Sequence, residues 1–181
     1  MRRRGFTLIE LLVTIGILGV LSTAVVISLN PAEIFKQSRD TNRFVTMASL
    51  NKAIGIFQIG DTNPVSLGST NIVYISLPDP AAPAGGYDCK NSLGLPALPT
   101  GWTYRCVRPA DLQKTDGSGW LPINFLGSNQ SINLPILPLD PINSYDSAIP
   151  SKTYFYTYAT NGTGKYELNA KTESIKYGLG N

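Results

Sequence analysis

The stretch Arg2-Arg3-Arg4-Gly5-Phe6-Thr7-Leu8-Ile9-Glu10-Leu11-Leu12-Val13 decides how the rest of the chain is read. Three arginines precede a glycine and an aromatic residue. A lone carboxylate follows at position 10, and the nineteen residues from Leu11 to Leu29 carry no charge. As a helix rising about 1.5 Å per residue, that run spans about 28 Å, close to the hydrocarbon thickness of a bilayer. The basic flank before it predicts a cytoplasmic N-terminus and an exported body. Glu10 is the anomaly. A carboxylate near the start of a spanning helix costs on the order of 1–3 kcal/mol even where the flank is partly wet, so it calls for a partner.

Two simple readings fit less well. A cleaved secretory signal needs a short apolar core followed by a small-residue cut site, whereas here the run is long and Ser22-Thr23-Ala24 lies inside it. A plain anchor accounts for the arginines and the span but leaves Glu10 without a role.

The block Arg2 to Val13 resembles the class III leader of type IV pilins and type II secretion pseudopilins. The resemblance implies cleavage after Gly5 by a prepilin peptidase, N-methylation of the new N-terminal Phe6, and a role in assembly for Glu10. It also implies the family fold and work: an α+β chain whose long N-terminal helix is packed on a small antiparallel β-sheet head, acting as a structural subunit rather than an enzyme. The expected divisions are a leader at 1–5, a membrane-spanning or filament-core helix at 6–29, an amphipathic half at 30–60 and an exported β-rich head at 61–181. The implied partners are further copies of the chain, the peptidase, the membrane before assembly, and an assembly machinery with its ATPase. The filament would stand outside the cytoplasmic membrane, in the periplasm or beyond. The alternative is a membrane-anchored minor pilin acting in adhesion or DNA capture.

The acid has a physical use under this reading. Cleavage leaves an amine on Phe6, and an amine and a carboxylate on neighbouring helices neutralise each other in a dry core that neither tolerates alone. Gly16 and Gly19 either allow close helix approach or are ordinary membrane-helix residues. Related pili unwind between a glycine and a following proline, which gives Gly19 a further reading.

Asn30-Pro31-Ala32-Glu33 is a helix-start signature, with Asn30 as cap, Pro31 in the first turn and Glu33 at the capping-box position. Beyond it, Phe44, Met47, Leu50, Ile54 and Phe57 recur at helical spacing and predict one buried face. Lys36, Arg39, Asp40, Arg43 and Lys52 mostly mark other faces. Gly60-Asp61 ends the run, so one long helix bent near Pro31 is expected from about Phe6 to Ile59.

The remainder holds 12 of the 13 prolines and reads as loops punctuated by short strands. Strands are expected at 71–77, at 102–107, at 120–125 with Pro122 pushing it to an edge, and as a hairpin of 153–160 with 165–172 around Asn161-Gly162-Thr163-Gly164. Tyr154, Tyr156 and Tyr158 alternate at strand period, either as cross-strand packing or as a stacking surface for single-stranded nucleic acid. Charge favours packing: of 15 Lys and Arg, three are the leading arginines, and the remainder balances the 12 Asp and Glu. Nucleic acid is therefore an unlikely partner.

The chain has no His, which removes His-based acid–base catalysis and His-ligated zinc. Lys165 follows a glycine without the rest of a P-loop. No cofactor is expected. Cys89 and Cys106 either form one disulfide after export or stay free. The pair is central, so the C-terminal disulfide-bounded loop of many pilins is absent or replaced. Leu137-Pro138-Leu139-Asp140-Pro141 resembles the Pro-x-Asp-Pro turn of major pseudopilins, which bind calcium nearby. Ile142-Asn143 stands where Trp-Gly is expected, and Asp140 and Asp146 are few carboxylates for a tight site. They are weak calcium candidates and otherwise turn residues. Asn129-Gln130-Ser131 and Asn161-Gly162-Thr163 match the short glycosylation sequon.

Overall fold

A computed structural model describes residues 5–60, 67–127, 132–149 and 152–178. Arg2, Arg3, Arg4 and the Asn129 sequon lie outside them. Two long helices open the chain, α1 at Leu8–Leu29 and α2 at Pro31–Gly60. The expected bend falls at Asn30, which adopts a left-handed backbone (φ 42°). Its carbonyl accepts the Glu33 and Ile34 amides, so one residue ends the first helix and opens the second. Pro31 fits the first turn of α2 because its missing N–H would have no partner there.

Strands β1 (Ile72–Pro78), β2 (Thr103–Val107), β3 (Tyr156–Thr160) and β4 (Tyr166–Ala170) follow, with a short helix α3 at Lys90–Leu93. The α+β class and the helix-plus-sheet layout are as expected. The sheet itself is mixed rather than purely antiparallel: its order is β2-β1-β3-β4, and β1 pairs β2 in parallel. A parallel pair needs a crossover of a dozen or more residues, which the loop between Pro78 and Thr103 supplies. The β3–β4 hairpin is antiparallel and in register from Tyr156↔Ala170 to Thr160↔Tyr166. Residues 120–125 form no strand. The Trp120 and Phe125 amides bond carbonyls of the neighbouring loop, Leu112 and Thr115, and Pro122 has no donor to offer a ladder.

The chain folds as two compact units, one joining the segment up to Arg39 with the segment from Glu173, the other being Asp40–Thr172. In the second, Leu50, Ala53, Ile54 and Phe57 of α2 pack with Trp120, Leu121, Ile123, Tyr156 and Tyr158 in the main core. The tyrosine row is thus packing: Tyr156 and Tyr158 are fully buried, and the Tyr158 hydroxyl donates to the Leu67 carbonyl. A second cluster on Ile75, Leu77 and Tyr104 surrounds the Cys89–Cys106 disulfide.

The buried face of α2 differs from the expected one at its start. Phe44 is half exposed, while Asp40 and Arg43 are buried. The stripe runs Asp40, Arg43, Met47, Leu50, Ile54, Phe57, alternating steps of three and four as a helix face demands. Sequence alone places such side chains outside, because burying a charge is costly unless it is paired.

Candidate processing and assembly site

Gly5, Phe6 and Thr7 precede α1 in non-helical backbone, so the Gly5–Phe6 peptide bond is not locked in a hydrogen-bonded turn. A Cβ added at Gly5 meets nothing within 4 Å, and Phe6 is 85% exposed. A peptidase that must approach the backbone closely finds an unobstructed glycine there.

Thr7 caps the helix. Its hydroxyl oxygen accepts the Glu10 amide at 3.3 Å, while the Thr7 amide and hydroxyl donate to Glu10 Oε2 at 2.9 and 2.7 Å. This capping box satisfies amides that the first helical turn leaves unpaired, and it folds the Glu10 carboxylate back toward the helix start. A negative charge there also meets the positive end of the helix dipole. Thr7 is the site residue that sequence reasoning passed over, although Thr-x-x-Glu before an apolar run is its signature. The carboxylate thus lies on the same end of the helix as the residue that cleavage would turn into an N-terminus.

Behind this cap, α1 is continuous through Gly16 and Gly19, and three of its hydroxyls are satisfied within the helix: Thr14 donates to the Leu11 carbonyl, Ser22 to Leu18 and Thr23 to Gly19. Leu8–Val26 is long and apolar enough to cross a membrane, and none of it is buried among the described residues. The apolar surface of this 19-residue span must be covered by lipid or by other helices.

Asp140 and Asp146 serve different groups. Asp140 takes both prongs of the Arg43 guanidinium, at 2.6 and 2.8 Å, and its Oδ1 also accepts the Ile142 and Asn143 amides. Arg43 gives its third contact to Asp40 at 2.7 Å, and its guanidinium lies 4.9 Å from the Tyr154 ring centre. Burial pulls the guanidinium toward neutrality, but the hydrogen bonds and charges of Asp140 and Asp40 outweigh it and hold the proton more firmly than usual. Asp146 Oδ1 accepts the Ala148 and Ile149 amides in a turn. Among the described residues, no group of three or more His, Cys, Asp or Glu stands together. In the other sequon, Asn161 Oδ1 accepts the Thr163 and Lys165 amides and shapes the hairpin turn.

Cys89 and Cys106 are bridged, with Cα atoms 5.7 Å apart. The crossover loop that the bridge closes is held further by Asp79, which accepts the Ala81 amide (2.9 Å), the Tyr87 hydroxyl (2.6 Å) and the Ser92 hydroxyl. Burial raises the Asp79 carboxyl, and these donors more than reverse it, leaving it below its ordinary value.

No curated protein and no solved structure matches the chain. A family model, the prokaryotic N-terminal methylation motif, matches residues 1–26. That segment covers the Gly5–Phe6 junction, the Thr7–Glu10 cap and most of the exposed apolar helix described above. The motif implies processing by a prepilin peptidase and assembly into pilus-like filaments in general. The chain therefore carries, within residues 1–26, the N-terminal methylation motif of the class III prepilin leader, followed by an apolar helix that fits the type IV pilins and pseudopilins.

Proposed function

We propose that the chain is a structural subunit of a type IV pilus or a type II secretion pseudopilus. Cleavage after Gly5 and methylation of Phe6 would release a subunit that polymerises through α1. The precursor sits in the cytoplasmic membrane with its body exported, and the assembled form is an extracellular or periplasmic filament. Its partners are other copies, the prepilin peptidase and an assembly machinery driven by a separate ATPase. The division into leader 1–5, core helix 6–29, amphipathic half 30–60 and head 61–181 belongs to the same reading.

The observation that carries it is the register of Gly5, Phe6 and Glu10 at the start of an apolar helix that is not buried among the described residues. The Phe6 amine of an incoming subunit and the Glu10 carboxylate of a neighbour neutralise each other in the dry core. Glu10 favours a filament-body subunit over an adhesive or DNA-capturing tip subunit, since that pairing has a use in every layer of a filament. The test is Glu10→Val, with sheared filament yield measured beside the amount of processed chain in the membrane. Processed chain without filaments is the expected result; normal filament yield would remove the reading.

A further inference from the structure

The segment from Glu173 does not trail free of the first unit. Glu173 takes the Arg39 guanidinium with both oxygens, at 2.6 and 2.7 Å. Two residues on, the Ile175 amide donates to Glu33 Oε1 at 2.7 Å. Glu33 and Arg39 are six positions apart on α2, so the strap lies along nearly two turns of its first half. This clamp leaves three large aliphatic or aromatic side chains outside: Ile34 at 50%, Phe35 at 65% and Ile175 at 80% exposure. They do not share one face. At about 100° per residue, Ile34 points roughly opposite the strap that carries Ile175, and Phe35 lies between them.

Apolar groups all round a helix, just past a membrane span, call for an environment that surrounds it. Phe35 follows Leu29 by six residues, about 9 Å along an unbroken helix and at most about 13 Å from the end of α1 whatever the bend at Asn30. The headgroup layer on each side of a bilayer is about 5–7 Å thick. Helical side chains lean toward the N-terminus, so Ile34 and Phe35 lean back toward the span. Lys176 lies 5.0 Å from the Tyr177 ring centre on the same strap, an amphipathic pair of the kind that settles at membrane interfaces.

We propose that Ile34, Phe35 and the strap residue Ile175 form an apolar collar seated in the lipid headgroup layer on the exported side of the membrane, with Arg39–Glu173 and Glu33–Ile175 holding the strap against α2. This rests on the membrane-anchored precursor of the proposed function. The collar sets the depth at which α1 stops in the bilayer.

The test uses the full chain in phosphatidylglycerol–phosphatidylethanolamine vesicles, with one environment-sensitive dye on a single introduced cysteine. The native cysteines are bridged and do not compete for label. Dye at Phe35→Cys and at Ile175→Cys should lose emission to lipids carrying a nitroxide near the headgroup and be spared by aqueous iodide. Quenching by iodide and not by shallow nitroxide overturns the collar. Emission loss that follows protein density instead of quencher lipid also overturns it, and assigns the groups to contacts between copies. Dye at Val20→Cys separates the two readings. If a deep nitroxide quenches it while the collar positions stay dark to lipid, the collar alone fails; if it is not quenched, the membrane reading fails with it.

Discussion

Replacing Arg43 with Met isolates the buried charge cluster of the second unit. The side chain is 1% exposed and stands between two carboxylates, Asp40 and Asp140, that are as deeply buried. Methionine keeps most of the apolar stem but leaves both carboxylates without their cation. Breaking a buried pair from one side costs about 3–5 kcal/mol, mostly as the penalty of a stranded charge. The lost contact with the Tyr154 ring adds about 0.5–2 kcal/mol. Against a typical total of about 5–15 kcal/mol, that is about a quarter or more of the stability of an ordinary domain. At about 3 °C per kcal/mol for a unit of this size, the melting midpoint should fall by about 10–20 °C. Near-ultraviolet circular dichroism of the full chain in detergent reads it, because Trp120, Tyr156 and Tyr158 are packed in the same core. Two controls separate a stranded charge from lost packing. The deficit should narrow as pH falls, since stranded carboxyls in an apolar site take up protons readily. Adding Asp40→Asn and Asp140→Asn to Arg43→Met should recover much of the loss, because no charge is then left buried. An unchanged midpoint, or a deficit indifferent to both acid and the added asparagines, refutes the reasoning.

Four further outcomes are expected. Gly5→Val should leave the helix intact, since an added Cβ meets nothing, yet block leader removal, seen as a mature N-terminus other than Phe6 by mass spectrometry. Glu10→Val should abolish filaments while processed chain accumulates; it also removes the capping box, a loss of about 1 kcal/mol that a 22-residue helix in a membrane absorbs. Replacing Cys89 and Cys106 together with serine should lower stability by about 3 kcal/mol in a denaturant titration, and both native thiols should resist alkylation before reduction. The Asp79 carboxyl, depressed in the folded chain, contributes stability above its unfolded value of about 3.9 that is lost as pH falls through the lower folded value. The melting midpoint should therefore drop below about pH 4, and Asp79→Asn should flatten part of that drop.

How far the fold could be read from the chain depended on how far each contact reaches. The apolar run, the Asn30-Pro31 junction and the β3–β4 hairpin are local patterns and were legible. The direction of β2 against β1 was not, because alternation within a strand says which face is buried and nothing of the partner's polarity. It follows from the crossover loop, whose anchors at Asp79 and the disulfide lie 8 to 17 residues apart in the chain. The two carboxylates make the same contrast. Glu10 and Asp140 are both ionised groups next to apolar surroundings, and both are held by donors. The donors of Glu10 sit three residues away on Thr7, so a four-residue motif encodes them. Arg43, the cation for Asp140, lies 97 residues away, and that distance turned a buried helix face into an apparent surface one. A charge at a face position is therefore ambiguous until its partner is known. The alternating steps of three and four from Asp40 to Phe57 were the one local sign that this charge belonged inside.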